Sequence, residues 1–221
     1  MQVGIVESGA VLGAEITGVD LTRPLDEPTF AQIREAFFRH EVIWFRGQEI
    51  SAEDQLRLSA RFGILRKLKR TTALHPTCPE IFLVSNILDE QGMPIGLTDA
   101  GLFWHTDGAY LDEPPLASII RAIEVPMRDG RPLGDTEFAS MSAAYDALDA
   151  PMKERLEGLQ AVQSIELRYA RTEAAGIRKP NLNTIITSPP SAVHPVVRPH
   201  PVTGRKCLFV SEAYTQRILG L

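Results

Sequence analysis

Beyond residue 62 the apolar runs are short and cut repeatedly by glycine and proline. This punctuation limits the fold more than any other feature of the chain. The segments that read as strands are Ile81-Phe82-Leu83-Val84, Phe103 to Tyr110 and Leu116 to Val125, with Thr136-Glu137-Phe138 following Gly134. Such lengths suit strands rather than the long amphipathic helices of a bundle. Helical spacing is clearest near the start. Asp26 can cap a helix with Pro28 in its first turn, and Phe30, Ile33 and Phe37 then fall on one face until His40-Glu41. Ser51 with Asp54 makes a capping-box pattern before a second helix to about Phe62.

The remaining segments fill in the pattern. Gly13 to Leu21 reads as an opening strand, and Val42-Ile43-Trp44-Phe45 as a buried strand closed by Gly47. Two short helices are expected across residues 141 to 160, the second starting at Asp149 with Met152, Leu156 and Leu159 as its apolar face. Residues 171 to 192 read as a long loop. Val196-Val197 and Leu208-Phe209-Val210 flank a Pro201-to-Gly204 turn, the signature of a hairpin. Two early helices followed by many short strands predict an α+β chain with a mainly β core, a sandwich or jelly roll with helical additions. Its 221 residues suit one domain, or one and a half, and the single-domain reading is favoured.

Composition removes several functions. Lys and Arg total 23 against 28 Asp and Glu, a formal charge of −5, so no basic nucleic-acid footprint is expected. Cys78 and Cys207 share no metal-ligand spacing and form no disulfide framework, which fits a reducing, cytoplasmic setting. No basic residue precedes Arg23, and the run from Leu116 to Val125 is broken by Arg121 and Glu124, so neither an export signal nor a membrane span is expected. The chain contains no GxSxG, P-loop, GxGxxG, HExxH or CxxC pattern.

The sharpest chemical feature is Trp104-His105-Thr106-Asp107. On a strand, residues i and i+2 point the same way, so His105 and Asp107 can bring an imidazole nitrogen and a carboxylate oxygen to one point. That is two-thirds of a 2-His-1-carboxylate iron site. The same triplet is more often a simple hydrogen-bonded pair. Trp104 reads as packing beside the site. The cluster Arg66, Lys67, Lys69 and Arg70 suits an anionic substrate, although a solvated loop is the plainer reading. His40 sits at a helix end, His75 precedes a proline, and His194 and His200 flank an apolar strand.

Taken together, these motifs resemble the TauD/TfdA family of Fe(II)- and 2-oxoglutarate-dependent dioxygenases. Gly13 to Leu21 is similar to the family's opening strand, Val42 to Gln48 to its next strand, and Arg61-Phe62-Gly63 to the end of its second helix. Trp104-His105-Thr106-Asp107 matches its metal motif, and Gly134-Asp135-Thr136-Glu137-Phe138 its co-substrate strand. His194-Pro195-Val196-Val197-Arg198, with His200-Pro201 and Thr203-Gly204-Arg205-Lys206, matches a late hairpin. The resemblance implies a double-stranded β-helix, a cupin-like jelly roll with flanking helices, carrying one iron. His105 and Asp107 would be metal ligands and catalytic residues. Thr136 would contact a carboxylate of the 2-oxoglutarate co-substrate. Phe209 would line the substrate pocket, with His200 near the substrate. The implied reaction hydroxylates a small organic substrate with O₂ and converts 2-oxoglutarate to succinate and CO₂. Oligomerisation fits the family, and no feature of the sequence fixes a state.

Two departures shape the expectations. Taurine enzymes place a sulfonate-binding histidine where this chain has Leu68, and the residue after the metal aspartate is Gly108, which leaves room beside it. Both argue against taurine itself, while Lys67 and Lys69 keep an anionic substrate in view. The family also takes a distal histidine ligand, and an arginine for 2-oxoglutarate, from beyond the late hairpin. No residue up to Leu221 matches either. The favoured expectation is that C-terminal strands belonging to a longer chain are missing from this sequence. The alternatives are a truncated, non-catalytic jelly-roll protein that binds a ligand or partner, and recruitment of His194 or His200 as a substitute ligand.

Overall fold

The computed structural model describes residues 2–67, 73–98, 100–177 and 189–221. The chain divides into two compact units, Met1–Ala100 with Leu116–Ala139 and Gly101–Pro115 with Ser140–Leu221. Helices and short mixed sheets make it α+β, as expected.

In the first unit, β1 (Gly4–Glu7) runs antiparallel to β2 (Ala14–Thr17), and β3 (Ile43–Trp44) lies parallel to β2. Helix α1 (Glu27–His40) starts where expected, with the Asp26 carboxylate accepting the Thr29 N–H at 2.8 Å. Its spacing puts Phe30, Ile33 and Ala36 inside, and Ile33 and Ala36 cluster with Ile16 of β2. Phe62 packs edge-on against Phe30 and Phe37, with ring centroids 5.0 Å and 5.7 Å away. Helix α2 (Ala52–Ala60) carries the full capping box: Asp54 N donates to Ser51 Oγ at 3.1 Å and Ser51 N to Asp54 Oδ2 at 2.9 Å. It ends two residues before Phe62. A hairpin of β4 (Met127–Arg128) and β5 (Arg131–Pro132) turns on Asp129 and Gly130, both with positive φ. That Asp-Gly pair is the strongest short hairpin signal available, and it was not among the sequence expectations.

The second unit begins its helices with α3 (Met141–Asp146) and α4 (Ala150–Leu156), the latter capped by Asp149 as expected, although Met152 is exposed. Then come β6 (Gln160–Ser164) and α5 (Ile165–Ala174). Strand β7 (Ser191–Pro195) precedes the β8 (Val197–Pro199) and β9 (Lys206–Leu208) hairpin, which is the one expected from the Pro201-to-Gly204 turn. Strand β10 (Thr215–Leu219) closes an antiparallel sheet ordered β10-β6-β7. Burial alternates along β7 and just past it, so Ala192, His194 and Val196 face the interior. Gln163 is buried in the central strand, with its amide donating to the Phe209 carbonyl at 2.9 Å.

Three expected strands do not form. Phe103 to Tyr110, Leu116 to Val125 and Thr136 to Phe138 carry no ladder. An apolar run becomes a strand only when another backbone takes up its N–H and C=O groups. Ile81 to Val84 makes only isolated bridges, Leu74 to Phe82 and Val84 to Leu97. The expected 171-to-192 loop is partly replaced by the end of α5 and the start of β7, and residues 178–188 lie outside the described residues.

Candidate active site

His105 and Asp107 do converge, but on a turn rather than a strand. Ala109 N donates to the Thr106 carbonyl at 3.2 Å and Leu111 N to the Gly108 carbonyl at 3.0 Å. Gly108 makes this turn possible with φ at +65°. A Cβ there would lie 2.7 Å from Pro115 Cδ and 2.8 Å from Leu111 Cδ1. The space left by its missing side chain is therefore already taken by the packed end of the turn.

The imidazole is oriented by its own loop. Its Nδ1 lies 2.7 Å from the Phe103 carbonyl, which can only accept, so Nδ1 carries the proton. Nε2 then faces Asp107 Oδ1 at 3.3 Å. A ligating histidine is normally held in this way, by a second-shell acceptor on its other nitrogen. The His105 side chain is 30% exposed and that of Asp107 51%, so the pair opens to solvent. The hydrogen bond to Asp107 raises the imidazole pKa above its usual value. Partial burial opposes that rise.

Aromatic rings back the pair. Tyr214 meets the His105 ring edge-to-face at 5.9 Å and the Tyr110 ring at 5.0 Å. Ala109, Ile165, Ala213 and Tyr214 form a buried cluster against which Phe103, Tyr169 and Phe209 pack. Burial, with Tyr110 and Asp107 nearby, pushes the Tyr214 phenol up, so it stays neutral through the physiological range. Arg168 of α5 lies close enough that its positive charge acts on both His105 and Tyr214. Sequence reading missed Tyr214, Tyr110 and Arg168, which lie in mixed polar segments that carry no motif. Trp104, expected to pack beside the site, is 50% exposed.

Phe209 joins the backing cluster, with the His194 ring edge-on at 5.2 Å and the Arg198 guanidinium over its face at 4.9 Å. His200 spends its Nδ1 on the hairpin turn, accepting from the N–H groups of Val202 and Thr203, both at 3.3 Å. His194 directs Nε2 to the Leu111 carbonyl at 2.8 Å, so that nitrogen is not available as a substitute ligand. Among the described residues no three His, Cys, Asp or Glu side chains converge closely enough to hold a metal ion. Thr136 is exposed in the first unit, whereas His105 and Asp107 belong to the second. Lys67 pairs with Glu80 at 3.9 Å. Leu68, Lys69 and Arg70 lie outside the described residues.

The donor set, one oriented imidazole and one exposed carboxylate, suits a divalent transition-metal ion. Residues 5–221 match the family model described as taurine catabolism dioxygenase TauD, TfdA family. The chain belongs to this family of Fe(II)- and 2-oxoglutarate-dependent dioxygenases. It is 32% identical to pentalenolactone F synthase of Streptomyces avermitilis, over 96% of this chain and 72% of that protein. It is 34% identical to the alpha-ketoglutarate-dependent sulfate ester dioxygenase of Pseudomonas putida, over 95% of this chain and 66% of that protein. The solved structure of a taurine dioxygenase from Burkholderia xenovorans superposes with a TM-score of 0.73 at 28% identity, covering 99% of this chain and 66% of that one. The jelly-roll expectation thus holds for the fold family, although several of its strands lack ladders here.

Proposed function

We propose that this TauD/TfdA dioxygenase holds Fe(II) on His105 and Asp107 and hydroxylates a small organic anion. The observation that carries the reading is the approach of His105 Nε2 to Asp107 Oδ1 at 3.3 Å, with Nδ1 already committed to Phe103. Bound there, Fe(II) with 2-oxoglutarate and O₂ would supply the oxidising chemistry, coupled to release of succinate and CO₂.

The chain's own residues orient and shield. The Phe103 carbonyl keeps the Nδ1 proton in place, so Nε2 presents its lone pair. Tyr214 and Tyr110 form an apolar wall behind the imidazole, which limits water on that side. Thr136 is the candidate for binding a 2-oxoglutarate carboxylate through its hydroxyl, and Phe209 for lining the substrate pocket. His200 and Leu68 remain the other substrate-side candidates, whereas Leu111 and Pro115 already fill the space beside Gly108. The sulfate ester and taurine named for two similar proteins support an anionic substrate.

We read residues 1–221 as one dioxygenase domain, a reading supported by a family match that runs through both units. Two free cysteines and a net charge of −5 support a cytoplasmic enzyme without a nucleic-acid partner. No helix among the described residues is long and apolar enough to cross a membrane, which supports action away from the bilayer.

Equilibrium dialysis with Fe(II) under anaerobic conditions tests the site. Metal should be retained by the protein and lost from a His105→Ala, Asp107→Ala variant. Equal retention by that variant would remove the proposed ligands and favour the alternative, a non-catalytic jelly-roll protein that binds a ligand or partner.

A further inference from the structure

We propose that His194 is a positioning residue for the metal-binding turn, acting through the Leu111 carbonyl; the inference rests on His105 and Asp107 being the ligands. His194 sits on the buried face of β7, opposite Ala161 of the central strand, and is itself 7% exposed. Its Nε2 lies 2.8 Å from the carbonyl of Leu111, a residue 83 positions earlier in the chain. A carbonyl only accepts, so Nε2 donates its proton and the tautomer is set by the contact. A buried imidazole left without this partner would face an uncompensated desolvation cost, so the bond is one the folded unit has reason to keep.

Leu111 is the far end of the turn that carries both candidate ligands. Its N–H reaches back to the Gly108 carbonyl, and its side chain fills the space beside Gly108. The near end is fastened separately, where Ala213 N donates to the Trp104 carbonyl at 3.2 Å. His105 and Asp107 therefore lie between two fastenings supplied from the sheet side of the same unit. Removing the His194 fastening frees the Asp107 end of the turn while leaving the Trp104 end in place. Phe209 fixes the direction of the donor, because the imidazole stands edge-on to its ring at 5.2 Å. Phe209 N in turn bonds the Val196 carbonyl at 2.7 Å, two residues beyond His194. This gives Phe209 a task in holding the turn that is separate from lining a substrate pocket.

The test uses Mn(II) as the probe, read from its free-ion EPR signal with 2-oxoglutarate present, well below the melting temperature of each variant. The His105→Ala, Asp107→Ala protein should lose binding, which checks the underlying ligand assignment. His194→Leu keeps apolar volume without a donor and should bind about tenfold more weakly, the low end of an outer-shell loss, since His194 reaches the ligands only through the turn. His194→Asn keeps a polar side chain whose amide is too short to reach Leu111, and should fall in the same range. His194→Gln places its amide nitrogen near the former Nε2 position and should stay within about threefold of wild type. If His194→Leu does not fold, the contrast between Asn and Gln decides. Wild-type affinity in both Leu and Asn variants would overturn the positioning role and leave the ligand assignment intact. Equal losses in Leu, Asn and Gln would assign the effect to packing and overturn the hydrogen-bond account. Unchanged binding in the His105→Ala, Asp107→Ala protein, or no binding by wild type, would remove the ligand assignment and this inference with it.

Discussion

The Nδ1–H of His105 is committed to the Phe103 carbonyl at 2.7 Å, so its Nε2 is the nitrogen that meets Asp107. A proton held between Nε2 and the carboxylate occupies the position a metal ion would take. Under the proposed ligand assignment, metal and proton would compete for one nitrogen.

The competition has a sign. Asp107 stabilises the protonated imidazole and raises its pKa above the ordinary value of 6.5. Metal affinity should be full above that raised value and fall about tenfold per pH unit below it. In the metal-free protein, an NMR titration of the His105 ring should give a pKa above 6.5, moving down in Asp107→Asn. An identical titration curve in that variant would contradict the pairing.

Gly108→Ala should destabilise the protein by about 2 kcal/mol. It combines a left-handed backbone with a Cβ pressed into Pro115 and Leu111. Urea unfolding measures this directly. A loss below about 0.5 kcal/mol, the usual range for a neutral surface change, would mean the turn can relax.

How far the sequence revealed the fold depended on the range of the interaction. The caps at Asp26, Ser51 with Asp54, and Asp149 were legible because each bond spans three residues. The β8-β9 hairpin was legible from its turn residues. The β10-β6-β7 sheet was not, since Gln160 pairs with Pro195 and Leu219 across long stretches of chain. His105 and Asp107 were named for a strand geometry that is absent. They meet at the start of a turn whose third position, Gly108, takes a positive φ, a signal visible in the glycine but read as substrate space. The partner of His194 is a backbone carbonyl, which leaves no trace in residue type.

Acid should weaken the helix starts first. The Ser51 N–H, with Arg57 beside it, holds the Asp54 carboxyl below its ordinary value, and Thr29 does the same for Asp26. A value lower in the folded than the unfolded state means stability that is present above about pH 4 and lost as pH falls through the folded value. Urea midpoints measured downward from about pH 4 should fall, and the fall should be shallower in Asp54→Asn. An equal slope in both proteins would remove Asp54 from the account.

Ile33 is fully buried beneath Ile16 of β2, so Ile33→Ala should cost about 3 kcal/mol. Chemical denaturation followed by circular dichroism reads this cost. A loss under about 1 kcal/mol would imply that α1 repacks readily over the cavity.

Under the proposed assignment, 2-oxoglutarate turnover depends on the His105–Asp107 pair. The most direct measurement is succinate formed from 2-oxoglutarate by purified protein with Fe(II), O₂ and a panel of small sulfate esters, sulfonates and carboxylates. Succinate should require Fe(II), rise with at least one anionic substrate, and disappear in His105→Ala and Asp107→Ala. Succinate formation that survives both substitutions would contradict the assignment.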